Sequence, residues 1–111
     1  MYEVIDNDIY IIRGDTAVIP FSITRDGSEY DFSNDLVQFT VKRNTVTQDI
    51  VIQKTITGAS LVIEPEDTHE LPYEDFTYDV QIITEAGEVH TVIKPHLFKI
   101  TNEVNFAITA I

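Results

Sequence analysis

Apolar and polar residues alternate with a period of two along most of this chain. Ala17, Ile19, Phe21 and Ile23 alternate with Val18, Pro20, Ser22 and Thr24, and Val37, Phe39 and Val41 with Gln38, Thr40 and Lys42. Phe76, Tyr78, Val80 and Ile82 are interleaved with Thr77, Asp79, Gln81 and Ile83, and Val104, Phe106, Ile108 and Ala110 with Asn105, Ala107, Thr109 and Ile111. Successive side chains of a strand point to opposite faces, so each set predicts a strand with one buried and one wet face. That pattern belongs to antiparallel sheets, because parallel strands covered on both sides read as unbroken apolar runs. Pro20 falls on the outward set, which predicts an edge or a bulge there. Lys54 interrupts the set Ile50, Ile52 and Ile56, which predicts a bulge or a strand end beside it.

Turn signals recur about every eight to twelve residues, the spacing of a sandwich or barrel. Asp26-Gly27 follows the run Ala17 to Ile23. Thr57-Gly58-Ala59-Ser60 and Ala86-Gly87 each join two short strand-like runs through a glycine and predict hairpins. The predicted helical turns are short, Phe32–Asp35 and Pro65–Thr68; in the second a proline suits the first position and acids suit the positive end. There is no repeat and no low-complexity run. The expectation is one all-β domain over residues 1–111, an immunoglobulin-like antiparallel β-sandwich of about seven to nine strands, with a small barrel as the other architecture.

Composition sharpens this picture. The chain has 111 residues, 43% of them hydrophobic, enough to build a core. Those residues are mainly Ile, Val, Phe and Tyr, which favour pleated surfaces over helices. Cysteine is absent, which excludes disulfides, thiolate metal sites and cysteine nucleophiles. The start Met1-Tyr2-Glu3-Val4-Ile5-Asp6 carries no signal-peptide pattern, and no stretch approaches the ~20 apolar residues of a membrane span, so cytosolic synthesis is the expectation. Seven Lys+Arg stand against 19 Asp+Glu, a formal charge of −12. Such a chain repels nucleic acid and anionic membranes, and its partners are expected to be neither.

Candidate chemistry is thin. From Thr55 to Ile93 there is no Lys or Arg, and Glu64, Glu66, Asp67 and Glu70 are close enough to share a loop. Calcium takes six to eight oxygen ligands, so residues 64–70 with nearby aromatics suggest a calcium or carbohydrate module; the spacing is not that of the twelve-residue calcium loop. A solvated acidic loop is the plainer account. His69, His90 and His96 match no zinc spacing, and no serine or threonine sits in a nucleophile motif. Two carboxylates across a cleft could hydrolyse sugars, but nothing marks a cleft. Arg13-Gly14-Asp15 spells an adhesive tripeptide, yet the glycine and aspartate already suit a turn before the next strand. No catalytic residue, cofactor or metal is expected. Most aromatics fall on inward sets, leaving Tyr10, Tyr30 and Tyr73 to face a partner.

The order of the segments resembles a known family. Gly14-Asp15-Thr16 leads into the strand to Ile23, and Tyr30-Asp31-Phe32-Ser33 precedes Val37-Gln38-Phe39-Thr40-Val41. Then come Leu61-Val62-Ile63-Glu64-Pro65-Glu66-Asp67-Thr68, Leu71-Pro72, Phe76-Thr77-Tyr78-Asp79-Val80-Gln81-Ile82, Gly87, Val92-Ile93 and Phe98-Lys99-Ile100. This order is similar to the immunoglobulin-like N-terminal domain of phage baseplate upper proteins and related small structural proteins of Gram-positive phages and prophages. It covers roughly residues 13 to 101. Where that family often has a glycine before the aromatic strand, this chain has Glu74-Asp75. The resemblance implies a non-enzymatic virion protein of the tail or baseplate, made in the bacterial cytoplasm. It also implies contacts with other phage structural proteins and a homo-oligomer or multi-copy assembly. The residues expected to carry those contacts are the loop positions Tyr30, Tyr73 and Asp75, and Asn105, Ala107 and Thr109 on the last strand, which could close the sandwich or pair with a neighbouring copy.

Overall fold

The computed structural model describes residues 2–102, and the fold is an all-β sandwich. Its large layer is a six-stranded sheet in the order β1 (Tyr2–Ile5), β2 (Asp8–Ile12), β10 (Val89–Thr101), β9 (Asp75–Ile83), β6 (Leu36–Lys42) and β7 (Ile50–Thr55). Its small layer is a ribbon of β3 (Ala17–Pro20) and β8 (Ser60–Ile63), joined by the two-residue ladder of β4 (Thr24–Arg25) and β5 (Ser28–Glu29). One helical turn, α1 (Pro65–Thr68), follows β8.

The alternating sets become the core. Val37, Phe39 and Val41 are fully buried, and Phe76, Tyr78, Val80 and Ile82 face the same way from β9. Ala17, Ile19, Leu61 and Ile63 of the ribbon join them in one cluster, so the ribbon lies over that face of the sheet. At its centre the Phe39 ring meets those of Tyr78 at 5.1 Å and Phe98 at 5.8 Å between centroids. The opposite face of the sheet is polar at its middle, where Gln38 lies opposite Gln81 and Thr40 opposite Asp79.

Two side chains bridge the layers along the flanks of the sandwich. On one flank the Tyr2 hydroxyl donates to the Val18 carbonyl at 2.8 Å. On the other, Lys54 Nζ reaches Asp67 of α1 at 2.8 Å and Glu64 at 4.0 Å. Lys54 therefore points inward as the alternation requires, and its strand ends one residue later at Thr55. Pro20 is equally accountable. Phe21 N–H donates to Ala59 O, so alternate residues of β3 pair with β8 while the Pro20 nitrogen faces the outer edge, where no ladder bond is lost.

Several expectations need correction. The pairing of β10 with β2 is parallel, Phe98 opposite Ile9 to Thr101 opposite Ile12, so the sheet is not purely antiparallel. Residues 57–60 do not close a hairpin: Ile56 N–H still bonds Val37 O in the large sheet, whereas Leu61 pairs with Ile19 in the ribbon. A single Thr57–Ser60 bridge closes this turn, which carries the chain from one layer to the other. Phe32–Asp35 is one hydrogen-bonded turn, Asp35 N–H to Phe32 O, rather than a helix. The hairpin at Ala86-Gly87 and the helical turn at Pro65–Thr68 form where the sequence puts them.

Candidate interaction surface

The loop residues expected to meet partners do not converge. Tyr73 and Asp75 sit at the start of β9, whereas Tyr30 packs near Ile82 and Thr84 at its far end. Nine residues of strand separate the two ends by ~26 Å. Tyr73 is 42% exposed, with the Arg13 guanidinium stacked 4.2 Å above its ring. Arg13 also donates to Leu71 O at 3.2 Å, and Gly14 N–H donates to the buried Thr68 hydroxyl at 2.8 Å. The Arg13-Gly14-Asp15 tripeptide thus forms a turn tied to α1. Asp75 is exposed, 3.7 Å from Lys99. Tyr30 is half-buried and donates to Asp35 Oδ2 at 2.5 Å, a bond that raises its pKa because the phenol must stay protonated to make it. Asn105, Ala107 and Thr109 lie outside the described residues.

The acidic loop is organised by its own helix turn. Asp67 accepts the Glu64 N–H at 2.8 Å and the Lys54 ammonium, so this carboxylate already has two donors. Glu66 and Glu70 are exposed. Among the described residues no three His, Asp or Glu side chains gather so as to hold a metal ion. His90 lies 3.3 Å from Glu88, His69 accompanies the Glu66 carbonyl at 3.1 Å, and His96 packs its ring beside Tyr78. The described helix is far too short to cross a membrane.

Sequence reasoning missed a stretch of open backbone inside the large sheet. Residues 2–12 form a hairpin whose two turn residues, Asp6 and Asn7, both take positive φ (48° and 71°). Aspartate and asparagine tolerate that region better than other side chains, and this dipeptide was the available signal. The hairpin is short. Its strand β2 pairs only with Phe98–Thr101 of β10, although β10 is 13 residues long. Asp8 Oδ1 accepts the Leu97 N–H at 3.0 Å, and there the contact with β2 stops. Residues 89–96 therefore lie along β9 on one side, with the ladder interrupted by two register shifts, and have no strand on the other side among the described residues.

Below that edge the small layer does not fully cover the large one. A groove of ≈ 270 Å³ opens between Ile23, Arg25 and Tyr30 on one wall and Ile82, His90 and Val92 on the other. On the opposite face, Leu36, Ile83 and Val89 stand side by side across three strands and form an apolar row at the same end of the sheet. Leu36 is 39% and Val89 57% exposed. Unpaired strand edges beside exposed apolar residues are where β proteins add a strand from a partner. No family model, curated protein or solved structure matches this chain.

Proposed function

We propose that this chain is a non-enzymatic structural domain of a phage or prophage particle, of the tail or baseplate, acting through protein–protein contacts in several copies. The observation that carries the binding half is the edge of β10 that has no neighbouring strand among the described residues, beside a groove with Ile23, Tyr30, Ile82 and Val92 in its walls, a feature suited to backbone pairing with another chain. The virion half rests on the ordered resemblance from Gly14 to Ile100. The burial of the inward aromatics in one core cluster supports an assembly role, because it leaves backbone edges and end loops, rather than a chemical centre, to do the binding.

Mass spectrometry of purified particles from an induced host tests this reading. The expected result is this polypeptide in a fixed whole-number ratio to the tail proteins. A soluble polypeptide left in the lysate, with none in particles, would remove the virion assignment.

A further inference from the structure

We propose that the open side of the sandwich at Val89–Lys94 accepts an extended strand, residues 104–110, from a second copy of this chain. The inference rests on the assembly reading above and names the partner and its mode of attachment.

The acceptor is set by backbone geometry. Thr84 N–H donates to Glu88 O while Thr84 O accepts the Gly87 N–H, so the 84/88 pair turns its backbone groups inward, and two residues on, the antiparallel ladder does the same at 82/90. The alternate residues Val89 and Thr91 then turn N–H and C=O away from β9, toward the side where no described strand lies. The first register shift falls between Thr91 and Ile93 and a second between Ile93 and His96, so the edge is regular over Val89–Thr91, bent over Val92–Lys94, and ended by Pro95. A strand laid against Val89–Lys94 sends every second side chain over the groove beside Ile23, Ile82 and Val92. It would continue the line of β2, which stops at Leu97, and cover the open side of the core.

The donor is chosen by pattern and charge. A strand fitting this groove needs apolar residues at alternate positions. It also needs no carboxylate near Glu88 on a chain of net charge −12. Val104, Phe106, Ile108 and Ala110 supply the first, alternating with Asn105, Ala107 and Thr109, and none of the seven is charged. The segments from Thr55 to Ile93, in contrast, carry acids and no Lys or Arg.

The same molecule is badly placed to donate. Thr101 lies ~33 Å along β10 from Thr91. The slot beside Phe98–Thr101 is filled by β2, and residue 104 is within ~10 Å of chain from Thr101. A second copy is free of that constraint. Donor and acceptor are different surfaces, so the contact is head-to-tail and propagates into a ring or a filament.

Sedimentation velocity of the full chain over a wide concentration range tests the proposal. Phe106→Glu disables the donor. Thr91→Pro disables the acceptor, and because the Thr91 N–H points away from β9 it breaks no ladder bond inside the molecule. Expected are concentration-dependent species larger than a monomer for the unsubstituted chain and monomers for each variant alone. An equimolar mixture of the two variants should give a dimer and nothing larger, because it holds one working donor and one working acceptor per pair. Circular dichroism melts of both variants establish that they are folded. A full chain monomeric at every concentration, or oligomers that persist in both variants, overturns the proposal. If the polypeptide is nevertheless found in particles, the virion reading stands and only this mode of attachment falls.

Discussion

At the scale of single residues, the polar groups inside the sandwich have defined partners. Thr68 is fully buried and its hydroxyl accepts the Gly14 N–H, tying α1 to the turn between β2 and β3. Thr68→Val keeps the shape but strands that N–H, which costs about 1–3 kcal/mol. Urea denaturation should show this as a lower midpoint with an unchanged slope, and Thr68→Ser should recover most of it. Tyr78 is the second case. Burial, reinforced by the nearby Asp8 carboxylate, pushes its pKa up to about 12 from 10.0, and its hydroxyl donates to the Asn7 carbonyl. The unfolded chain therefore loses the phenolic proton first as pH rises. The stabilisation from the protonated phenol is complete below pH 10.0 and is lost as pH climbs toward about 12. Melting temperature should fall through that window in the unsubstituted protein and fall less in Tyr78→Phe; equal slopes would mean that other groups set the alkaline limit. Both residues lie in segments singled out in the sequence, Tyr78 on an inward set and Thr68 in a helical turn. Their partners Asn7 and Gly14 lie 71 and 54 residues away, and periodicity carries no information on such distant pairs.

At the scale of elements, the strands with clean alternation were legible and their connections were not. Val37 to Val41 and Phe76 to Ile82 form the strands that the period predicts, because packing onto one core selects the pattern. Residues 57–60 read as a hairpin because a glycine turn between two apolar runs is locally the same whether the runs pair or diverge. What separates them is the continuation of β7 beside β6 and of β8 beside β3, a long-range choice. The parallel match of β2 with β10 is hidden for the same reason, since the partners lie 89 positions apart and share no local signal. The candidate surface is legible only in part: Tyr30 and Tyr73 stand out in the sequence, but the edge of β10 that has no neighbour among the described residues exists because the β1–β2 hairpin is shorter than the strand it joins. That hairpin depends on its turn. Asn7 holds φ of 71°, a conformation costing most side chains about 1–2 kcal/mol. Asn7→Ala should therefore destabilise by about 1 kcal/mol and Asn7→Gly should be neutral or stabilising, read by chemical denaturation. Equal stability of the two variants would show that the turn strain is not what limits the hairpin.

At the scale of the whole molecule, the distribution of charge separates a surface that binds metal from one that binds protein. The chain carries 12 more acids than Lys and Arg together, so a divalent cation is attracted to it nonspecifically in any case. Stabilisation by a bound ion requires more than attraction; the ion must bind the folded state better than the unfolded one. That preference comes from carboxylates preassembled in the fold, since an unfolded acidic chain offers the same charges without the geometry. Residues 64–70 do not provide it. Asp67 Oδ2 takes both the Glu64 amide and the Lys54 ammonium, and Glu66 and Glu70 are exposed. Calcium at Asp67 would compete with the Lys54 ammonium, which bridges β7 to α1 on one flank of the sandwich. Millimolar calcium is therefore expected to leave the melting temperature unchanged beyond the shift produced by a matched ionic strength of sodium chloride. Lys54→Met gives the decisive control, because it frees Asp67 and removes the competing cation. A calcium-dependent rise in that variant alone would show that the lysine occupies the position a metal would take. A rise in the unsubstituted protein would instead make residues 64–70 a calcium site and count against protein contacts as the sole activity.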